Sequence, residues 1–271
     1  MIKIKRLLIA VFILVAVLFA VSQISERVGN DKTPPVISCS PEVLEISVSD
    51  DESALLTGVT ATDNRDGDIT DKIVISGVSK LISEDTAKVT YLVFDSGDNM
   101  GSCTRLIRYT DYRRPQFKLT EPLQFKVGDT LSIEDRLFAY DVIDGDVTEN
   151  IRVSTLDLTG SAEGVYYITV QVVNSMGDSA RLSLPVVVGN TTRRTPVIEL
   201  TEYITYVEEN SRFDPESYVQ SVTVNGSDGE ISRVEWSGEV DTSVSGEYQV
   251  TYTYTSSDGA SGSVILIAVV E

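Results

Sequence analysis

The chain has 271 residues, a formal net charge of −19, no histidine, two cysteines and one tryptophan. Without imidazole, Ser-His and Cys-His catalytic pairs and His-ligated zinc sites are excluded. The acidic balance excludes nucleic acid as a partner, because nucleic-acid binders carry a basic footprint. The length allows one large domain or two to three small ones.

The amino terminus combines a basic tip with an apolar segment. Three cations among the first six residues precede an uninterrupted apolar run over residues 7–21. A run of this length suits a signal-peptide core or a short membrane span. The charge order predicts a single-pass cell-membrane protein, anchored through residues 7–24, with a cytoplasmic amino terminus and extracellular carboxy-terminal domains. Cleavage near Ser22, which would give a secreted protein, is the alternative.

The rest of the chain repeats. Proline-containing openings over residues 33–37, 114–117 and 195–198 recur at spacings of 80 and 81 residues. An acidic, glycine-containing turn follows each opening, at residues 63–70, 141–148 and 225–232. The repeat predicts that residues 1–30 hold the tip, the helix and a linker, and that three domains follow over residues 31–112, 113–190 and 191–271.

Apolar and polar residues alternate with a period of two late in each copy. In copy two, Tyr166, Ile168, Val170 and Val172 share one face. Because successive side chains of a strand point to opposite faces, this alternation predicts half-buried antiparallel strands. About seven short strands per copy, separated by Gly, Asp and Asn turns, are typical of an immunoglobulin-like (Ig-like) Greek-key β-sandwich. The predicted fold is therefore all-β, with three tandem sandwiches after one amino-terminal transmembrane helix.

Two motifs match a known family. The segment Val-Thr-Ala-Thr-Asp at 59–63, leading into Asp-Gly-Asp-Ile-Thr at 66–70, and the segment Gly-Glu-Tyr-Gln-Val-Thr-Tyr at 246–252 carry the match. They resemble the bacterial Ig-like domains first named from an insecticidal crystal protein, and the resemblance covers nearly all of residues 31–271. Copy one departs from the pattern at Asp85 and Ala87, where the other copies have Gly and Tyr. The resemblance implies an extracellular surface protein and leaves the ligand open.

Both cysteines fall in copy one. Cys39 lies on the predicted first strand and Cys103 at the start of the predicted last strand. First and last strands can be neighbours in such sandwiches, and export permits oxidation, so we predict a disulfide. Two separate buried thiols are the alternative.

The acidic turns of copies one and two place three carboxylates each within six residues. The six aspartates are Asp63, Asp66, Asp68, Asp141, Asp144 and Asp146. They are candidate calcium ligands, because calcium takes six or more oxygen ligands. The alternative is structural: Gly67, Gly145 and Gly229 take positive φ, and the aspartates cap backbone amides as Asx turns. Both interpretations stay open, and no other cofactor is predicted.

Paired arginines precede the openings of copies two and three. They are Arg113, Arg114, Arg193 and Arg194. We predict that the first pair neutralises Asp144 and Asp146 at the domain junction, where cadherin-type repeats would use calcium. Solvated arginines that contribute little are the alternative.

The function predicted from these features is non-enzymatic, since no acidic pair lies in a cleft-forming context. We expect a membrane-anchored cell-surface protein whose modules act as a spacer or in protein–protein adhesion, with an extracellular protein or glycan as partner. A carbohydrate-binding module, which needs exposed aromatic side chains in a row, and a calcium-stiffened adhesin are the alternatives. Trp236 is predicted to fill the core of copy three, with a sugar-stacking platform as the alternative.

Overall fold

The computed structural model describes residues 11–22, 31–155 and 160–271. One α-helix covers residues 11–22. The remaining described residues form strands, turns and short 3-10 helices, and this architecture confirms the all-β part of the predicted fold class. The 3-10 helices are Glu52–Leu56, Thr70–Lys72, Thr148–Asn150, Pro215–Tyr218 and Ile231–Arg233.

The predicted membrane anchor is wrong. The helix over residues 11–22 has 12 residues and therefore rises about 18 Å, whereas the hydrocarbon layer of a bilayer is about 30 Å thick. Across the described ranges, no helix combines the length and the apolar character that a membrane crossing requires. The predicted single-pass localisation is therefore wrong, and the predicted membrane association is not supported. The flanks of the predicted anchor, 7–10 and 23–24, lie outside the described residues.

Copy one contains two sheets. Its strands are β1 (Val36–Cys39), β2 (Val43–Ile46), β3 (Val59–Asp63), β4 (Gly67–Asp68), β5 (Val74–Val78), β6 (Thr86–Phe94) and β7 (Met100–Tyr109). One sheet has the order β1-β3-β4 and the other β2-β7-β6-β5. Strand β2 runs parallel to β7, and the other pairs are antiparallel.

Copies two and three repeat this pair of sheets. The strands of copy two are β8 (Gln116–Leu119), β9 (Gln124–Lys126), β10 (Leu137–Asp141), β11 (Gly145–Asp146), β12 (Arg152–Thr155), β13 (Gly164–Val173) and β14 (Ser179–Gly189). Those of copy three are β15 (Val197–Leu200), β16 (Ile204–Val207), β17 (Val219–Val224), β18 (Ser227–Asp228), β19 (Glu235–Ser237), β20 (Gly246–Thr255) and β21 (Ser261–Val270). The sheet orders are β11-β10-β8 with β12-β13-β14-β9, and β15-β17-β18 with β16-β21-β20-β19.

The long hairpins β6–β7, β13–β14 and β20–β21 carry the alternation predicted from sequence. In β6, Ala87, Val89, Tyr91 and Val93 are fully buried. In β13, Ile168, Val170 and Val172 are buried in the same way, and in β20 so are Val250, Tyr252 and Tyr254. The predicted inward faces are therefore confirmed in all three copies, as expected for strands that cover an apolar core on one side.

The predicted disulfide is confirmed. Cys39 and Cys103 are bonded, with their Cα atoms 6.7 Å apart. Cys39 ends β1 and Cys103 lies in β7, and these strands belong to different sheets. The bond therefore links the two sheets of copy one.

The predicted turn glycines are correct in two copies and wrong in the third. Gly67 and Gly145 both have φ of +74°. Gly229 does not adopt positive φ, because the turn of copy three lies earlier, at Asn225 and Gly226, with φ of +53° and +81°. A Cβ added at Gly229 would lie 2.8 Å from Val222 Cγ1, so close packing requires glycine there.

The chain divides into two compact units, one ending at Asp111 and the other covering Tyr112–Glu271. Within the second unit, a single cluster of buried apolar side chains joins copies two and three. It includes Phe117 and Leu123 of copy two together with Ile204 and Leu266 of copy three. The boundary between residues 190 and 191 stays a prediction, and the copies on its two sides share apolar packing.

Polar contacts reinforce this shared packing. The Phe117 amide donates a hydrogen bond to the Tyr206 hydroxyl at 2.6 Å, and burial raises the pKa of that hydroxyl well above its ordinary value. The Gln124 side-chain amide donates to the Ser263 carbonyl at 2.7 Å. The Ser183 amide donates to Glu247 Oε2 at 2.9 Å.

The substitution Tyr206→Phe is expected to lower the free energy of unfolding of the second unit by about 1–2 kcal/mol, because the Phe117 amide loses its acceptor in a largely buried position. Urea unfolding of the full chain measures the change. Tyr166→Phe is the matched control, since the Tyr166 hydroxyl is exposed and bonds the Ala162 carbonyl of its own copy. Equal losses in both variants would contradict a special role for Tyr206.

Candidate functional site

The acidic turns of copies one and two are closed by their own aspartates. Asp63 Oδ1 accepts hydrogen bonds from the amides of Arg65 and Asp66, both at 2.8 Å. In copy two, Asp141 Oδ1 accepts from the amides of Ile143 and Asp144 at 2.9 and 3.0 Å. These are Asx turns, and they supply the geometry of the structural alternative raised by the sequence.

The remaining turn aspartates bind neighbouring backbone as well. Asp66 accepts from the Ser96 amide and hydroxyl at 2.6 and 2.7 Å, and so ties the acidic turn to the β6–β7 hairpin turn. Asp144 does the same with Ser175 in copy two. Asp68 and Asp146 accept from the amides of the threonines two residues later, at 3.0 and 2.9 Å. The acidic turn and the hairpin turn therefore lie at the same end of each sandwich.

Copy one gathers a different set of three carboxylates at this end. Asp31 precedes β1, Asp63 ends β3 and Asp95 follows β6. One oxygen from each lies within 4.8 Å of the other two. Asp31 Oδ1 accepts from the Thr33 amide, and Asp95 Oδ1 accepts from the amides of Gly97 and Asn99. We call this set the carboxylate cluster.

Sequence reasoning named one member of the carboxylate cluster and missed two. Its members are 32 residues apart in each case, so no local motif connects them. Asp95 was recognised only as part of a hairpin turn. The cluster could have been found from the predicted strand pairing. If the strands pair as predicted, the segment before β1, the acidic turn and the hairpin turn meet at one end of the sandwich.

Copy two has hydrogen-bond donors in the corresponding place. Asn174 occupies the hairpin position of Asp95, and its amide donates to Asp141 Oδ2 at 3.1 Å and to the Tyr112 hydroxyl at 2.9 Å. Tyr112 in turn donates to Asp178 Oδ2 at 2.9 Å. Burial and the Asp178 carboxylate raise the pKa of Tyr112 above its ordinary value. Asp141 is fully buried, and both of its oxygens accept hydrogen bonds.

Copy three has lost the acidic residues at these positions. Val224 stands at the end of β17, where the other copies have Asp63 and Asp141. Ser256 takes the hairpin position and bonds the Ala260 carbonyl and Asp258. The same end of the sandwich therefore differs among the three copies. Copy one has three acids there, copy two has one acid with an amide and a phenol as donors, and copy three has a neutral pair.

The interdomain arginines make different contacts. Arg114 Nε lies 3.7 Å from Asp178 Oδ2, and Arg113 Nη2 lies 3.6 Å from Glu208 Oε1 of copy three. Arg194 lies near Asp258, whose carboxyl pKa is lowered mainly by the Ser256 hydroxyl and only in small part by that arginine. Arg193 is exposed. The predicted neutralisation of Asp144 and Asp146 by Arg113 and Arg114 stays a prediction.

Trp236 lies on the surface, and its predicted core position is wrong. The residue is 44% exposed, because β19 is a short edge strand that pairs only with β20. It lines a concavity of about 310 Å³ together with Phe213, Glu239, Val240 and Thr242. An aromatic ring, an acid and a hydroxyl beside an open depression are features of small-ligand sites.

A second aromatic pair is exposed on copy two. Phe138 and Tyr140 alternate with buried residues of β10 and are 40% and 60% exposed. Residues two apart on a strand share a face and lie about 7 Å apart. Sequence reasoning did not single out this pair, although the pattern Leu-Phe-Ala-Tyr-Asp at 137–141 shows it.

Acid is expected to destabilise the chain. Hydrogen bonds donated by Ser96 hold the pKa of Asp66 below its ordinary value, and those donated by Thr70 and Thr148 do so for Asp68 and Asp146. Because the folded-state pKa values are depressed, the unfolded chain takes up protons first as the pH falls. The stability from these groups is therefore present above about pH 4 and lost as the pH falls through the folded-state values.

Urea midpoints measured from pH 7 to pH 2.5 test this acid dependence. The variant carrying Asp66→Asn, Asp68→Asn and Asp146→Asn is the comparison, because asparagine keeps an acceptor oxygen but does not titrate. Its midpoint is expected to fall less steeply below pH 4. If the urea midpoint of the variant fell as steeply as that of the parent, these turn aspartates would not be the cause of the loss of stability in acid.

Comparison with known proteins shows that part of the chain matches a family model. Residues 202–265 match the family model described as bacterial surface protein, Ig-like domain. The chain is 35% identical over 128 residues to the pesticidal crystal protein Cry22Aa of Bacillus thuringiensis, covering 45% of this chain and 17% of that protein. It is 33% identical over 98 residues to an 81.3 kDa protein of Acholeplasma phage L2, covering 34% of this chain and 13% of that protein. The chain thus spans less than a fifth of the length of either relative.

Among solved structures, the chain is similar to Drosophila N-cadherin EC1-3, with 15% sequence identity and a TM-score of 0.31. The match covers 87% of this chain and 99% of that chain. The resemblance to bacterial Ig-like domains is confirmed by these sequence matches, of which the family model covers residues 202–265.

Proposed function

We propose that this chain is a non-enzymatic surface-protein module in which three Ig-like sandwiches, over residues 31–112, 113–190 and 191–271, serve as a spacer that presents a binding surface. The observation that carries the proposal is the apolar cluster shared by copies two and three. A spacer must hold adjacent modules at a fixed angle, and continuous apolar packing achieves this better than a flexible linker does. The contacts of Tyr206, Gln124 and Glu247 add fixed polar links to that packing.

A distance measurement between spin labels tests the spacer. Glu149→Cys and Ser257→Cys place one label on an exposed position of each sandwich. The native cysteines form a disulfide and do not react with the label in the absence of reductant. We expect one narrow distance distribution at both low and high salt, because the junction is mainly apolar. A broad distribution would contradict the spacer.

Binding by an exposed aromatic surface is the adhesive part of the proposal. Phe138 and Tyr140 lie side by side on β10, and aromatic side chains are enriched at protein–protein contacts. The strong negative charge of the chain disfavours anionic partners. The partner surface is therefore expected to be neutral or basic.

Glycan binding is a second candidate, favoured by Trp236. Its exposed ring borders the concavity that also contains Glu239 and Thr242. A flat aromatic face beside polar acceptors suits a sugar ring, which stacks through its C–H face and donates from its hydroxyls. Because the chain is acidic, neutral sugars fit better than sulfated or phosphorylated ones.

Fluorescence tests the glycan candidate directly, because Trp236 is the only tryptophan in the chain. Neutral β-linked oligosaccharides of two to six sugars are the probes. If the concavity binds them, the emission of Trp236 shifts or is quenched saturably, and Glu239→Gln weakens the effect by about tenfold, equivalent to about 1.4 kcal/mol. Tyr140→Ala, an exposed aromatic outside the concavity, is the control and should leave the titration unchanged. An unchanged spectrum across the panel would exclude this candidate for these sugars.

A further inference from the structure

The carboxylate cluster contains two oxygen atoms for which the described residues provide no partner. Asp63 is only 8% exposed, yet its Oδ2 is buried and accepts no hydrogen bond from any described residue. Asp31 Oδ2 is buried in the same way. Buried carboxylate oxygens are normally paired, because an unpaired negative charge away from water is strongly unfavourable. Two such atoms in one cluster therefore indicate a missing positive partner.

Two cations of copy one, Lys72 and Arg105, are engaged elsewhere. Lys72 Nζ lies 3.8 Å from Asp66. The buried Arg105 donates to the Tyr91 hydroxyl and to the Leu55 carbonyl. Asn99 supplies one donor to the cluster, from its side-chain amide to Asp95 Oδ2 at 2.7 Å. This side chain and the backbone amides that donate to the cluster are all neutral, so they do not compensate the charge of three carboxylates.

In copy two, protein donors supply hydrogen bonds to the buried carboxylate at the corresponding end of the sandwich. There Asp141 Oδ2 accepts from Asn174, and Tyr112 and Asp178 continue the hydrogen-bond network. Copy one replaces the asparagine with Asp95 and adds Asp31, so acceptors stand where copy two has donors. The two sites lie at the ends of equivalent strands in the two copies. They therefore differ in their side chains and not in their place in the fold.

We propose that Asp31, Asp63 and Asp95 bind a calcium ion. The ligand set is three carboxylate oxygens that all lie within 4.8 Å of one another, close enough for one ion to contact all three at calcium bond lengths of about 2.3–2.6 Å. Magnesium demands regular octahedral geometry with bonds of about 2.1 Å and keeps several waters, whereas calcium accepts an irregular shell of carboxylate oxygens. Water completes the calcium shell on the side of Asp31, the member of the cluster that is only partly buried.

The proposal assigns the metal to a different residue set from the acidic turn. Both oxygens of Asp66 accept hydrogen bonds from Ser96, and Asp68 Oδ1 accepts one from the Thr70 amide. Of the turn residues in copy one, only Asp63 keeps a buried oxygen without a partner. The ion would join the segment before β1, the end of β3 and the β6–β7 turn. Calcium would therefore stabilise copy one and leave the second unit unchanged.

Calorimetric titration and thermal melting of the full chain, in calcium-free buffer with added CaCl₂ or MgCl₂, test the site. The expected dissociation constant for calcium is on the order of 0.1 mM, as in extracellular calcium modules. Millimolar calcium should then raise the melting midpoint of the transition of copy one by about 10 °C. Magnesium at the same concentration should give a much smaller shift.

Three variants distinguish the site from general charge effects. Asp63→Asn keeps the Oδ1 acceptor of the Asx turn but removes the charge, and it should weaken calcium binding at least tenfold. Asp68→Asn removes one charge from the same turn outside the carboxylate cluster, and it should bind calcium as the parent does. Asp95→Asn, which copies the residue of copy two, should lose the calcium response and melt at a higher temperature than the metal-free parent.

The outcomes decide the proposal. Calcium binding that is lost in Asp63→Asn and kept in Asp68→Asn supports it. No calcium-dependent shift in the parent, or the same shift in both variants, overturns it. Far-ultraviolet circular dichroism of each variant shows whether the strands are retained. If Asp63→Asn or Asp95→Asn keeps its strands and still binds calcium as the parent does, the proposal is also overturned. These results do not depend on the spacer function, which the spin-label distances test separately.

Discussion

Replacement of Cys39 and Cys103 by serine is expected to lower the free energy of unfolding of copy one by about 4 kcal/mol. The disulfide closes a loop with a sequence separation of 64 residues. In the loop-entropy model, a cross-link over that separation restricts the unfolded chain by about this amount. The effect is large for a sandwich of this size, because small domains have net stabilities of only about 5–15 kcal/mol.

Reductant provides the matched comparison. Dithiothreitol should lower the midpoint of copy one in the parent protein and leave the double-serine variant unchanged. It should not move the transition of the second unit, whose sequence contains no cysteine. A reductant effect of the same size on both transitions, or none on the first, would contradict the disulfide as the main covalent constraint.

The substitution Asp141→Ala should be the most damaging single change among the turn aspartates, at about 3 kcal/mol. The side chain is fully buried, and its loss leaves the amides of Ile143 and Asp144 and the Asn174 side chain without their acceptor. Unpaired buried donors cost about 1–3 kcal/mol each, partly recovered when water enters. Urea unfolding of the second unit measures the change.

Asp146→Ala is the control for this prediction. Asp146 belongs to the same turn, but it is exposed and accepts only from Thr148. Its replacement should cost much less than that of Asp141. If the two substitutions were equally destabilising, the buried Asp141–Asn174–Tyr112 network would not be the feature that stabilises this end of copy two.

The sequence was most informative where one pattern determined one structure. Alternation in Tyr166, Ile168, Val170 and Val172 predicted β13 and its inward face, because strand periodicity is strict. Cys39 and Cys103 predicted the disulfide because they were the only pair available. Gly67 and Gly145 predicted positive φ because the Asp-Gly turn requires it.

Features that depend on several distant segments were missed. Asp31 and Asp95 join Asp63 only after the strands have paired, so their sequence neighbourhoods carry no metal motif. Trp236 was placed in the core by analogy with other Ig-like domains, but β19 is a short edge strand that leaves the ring 44% exposed. The apolar run at 7–21 predicted a membrane span from composition, whereas the described helix has only 12 residues.

The packing between copies two and three could not be predicted from the sequence either. Alternation identified which residues face inward within each sandwich, but Tyr206 and Phe117 meet across two sandwiches. A short linker predicts proximity and does not specify which faces touch. The shared cluster forms because apolar side chains of the two copies pack against one another and so remove apolar surface from water.

Native-state hydrogen exchange of the full chain, followed by mass spectrometry at increasing denaturant, tests the fold organisation most directly. We expect the backbone amides of the three hairpins β6–β7, β13–β14 and β20–β21 to exchange slowly. We also expect the second and third hairpins to lose protection at one common denaturant concentration, separate from the first. Protection confined to one hairpin, or independent opening of the second and third, would contradict an array of sandwiches in which copies two and three unfold as one body.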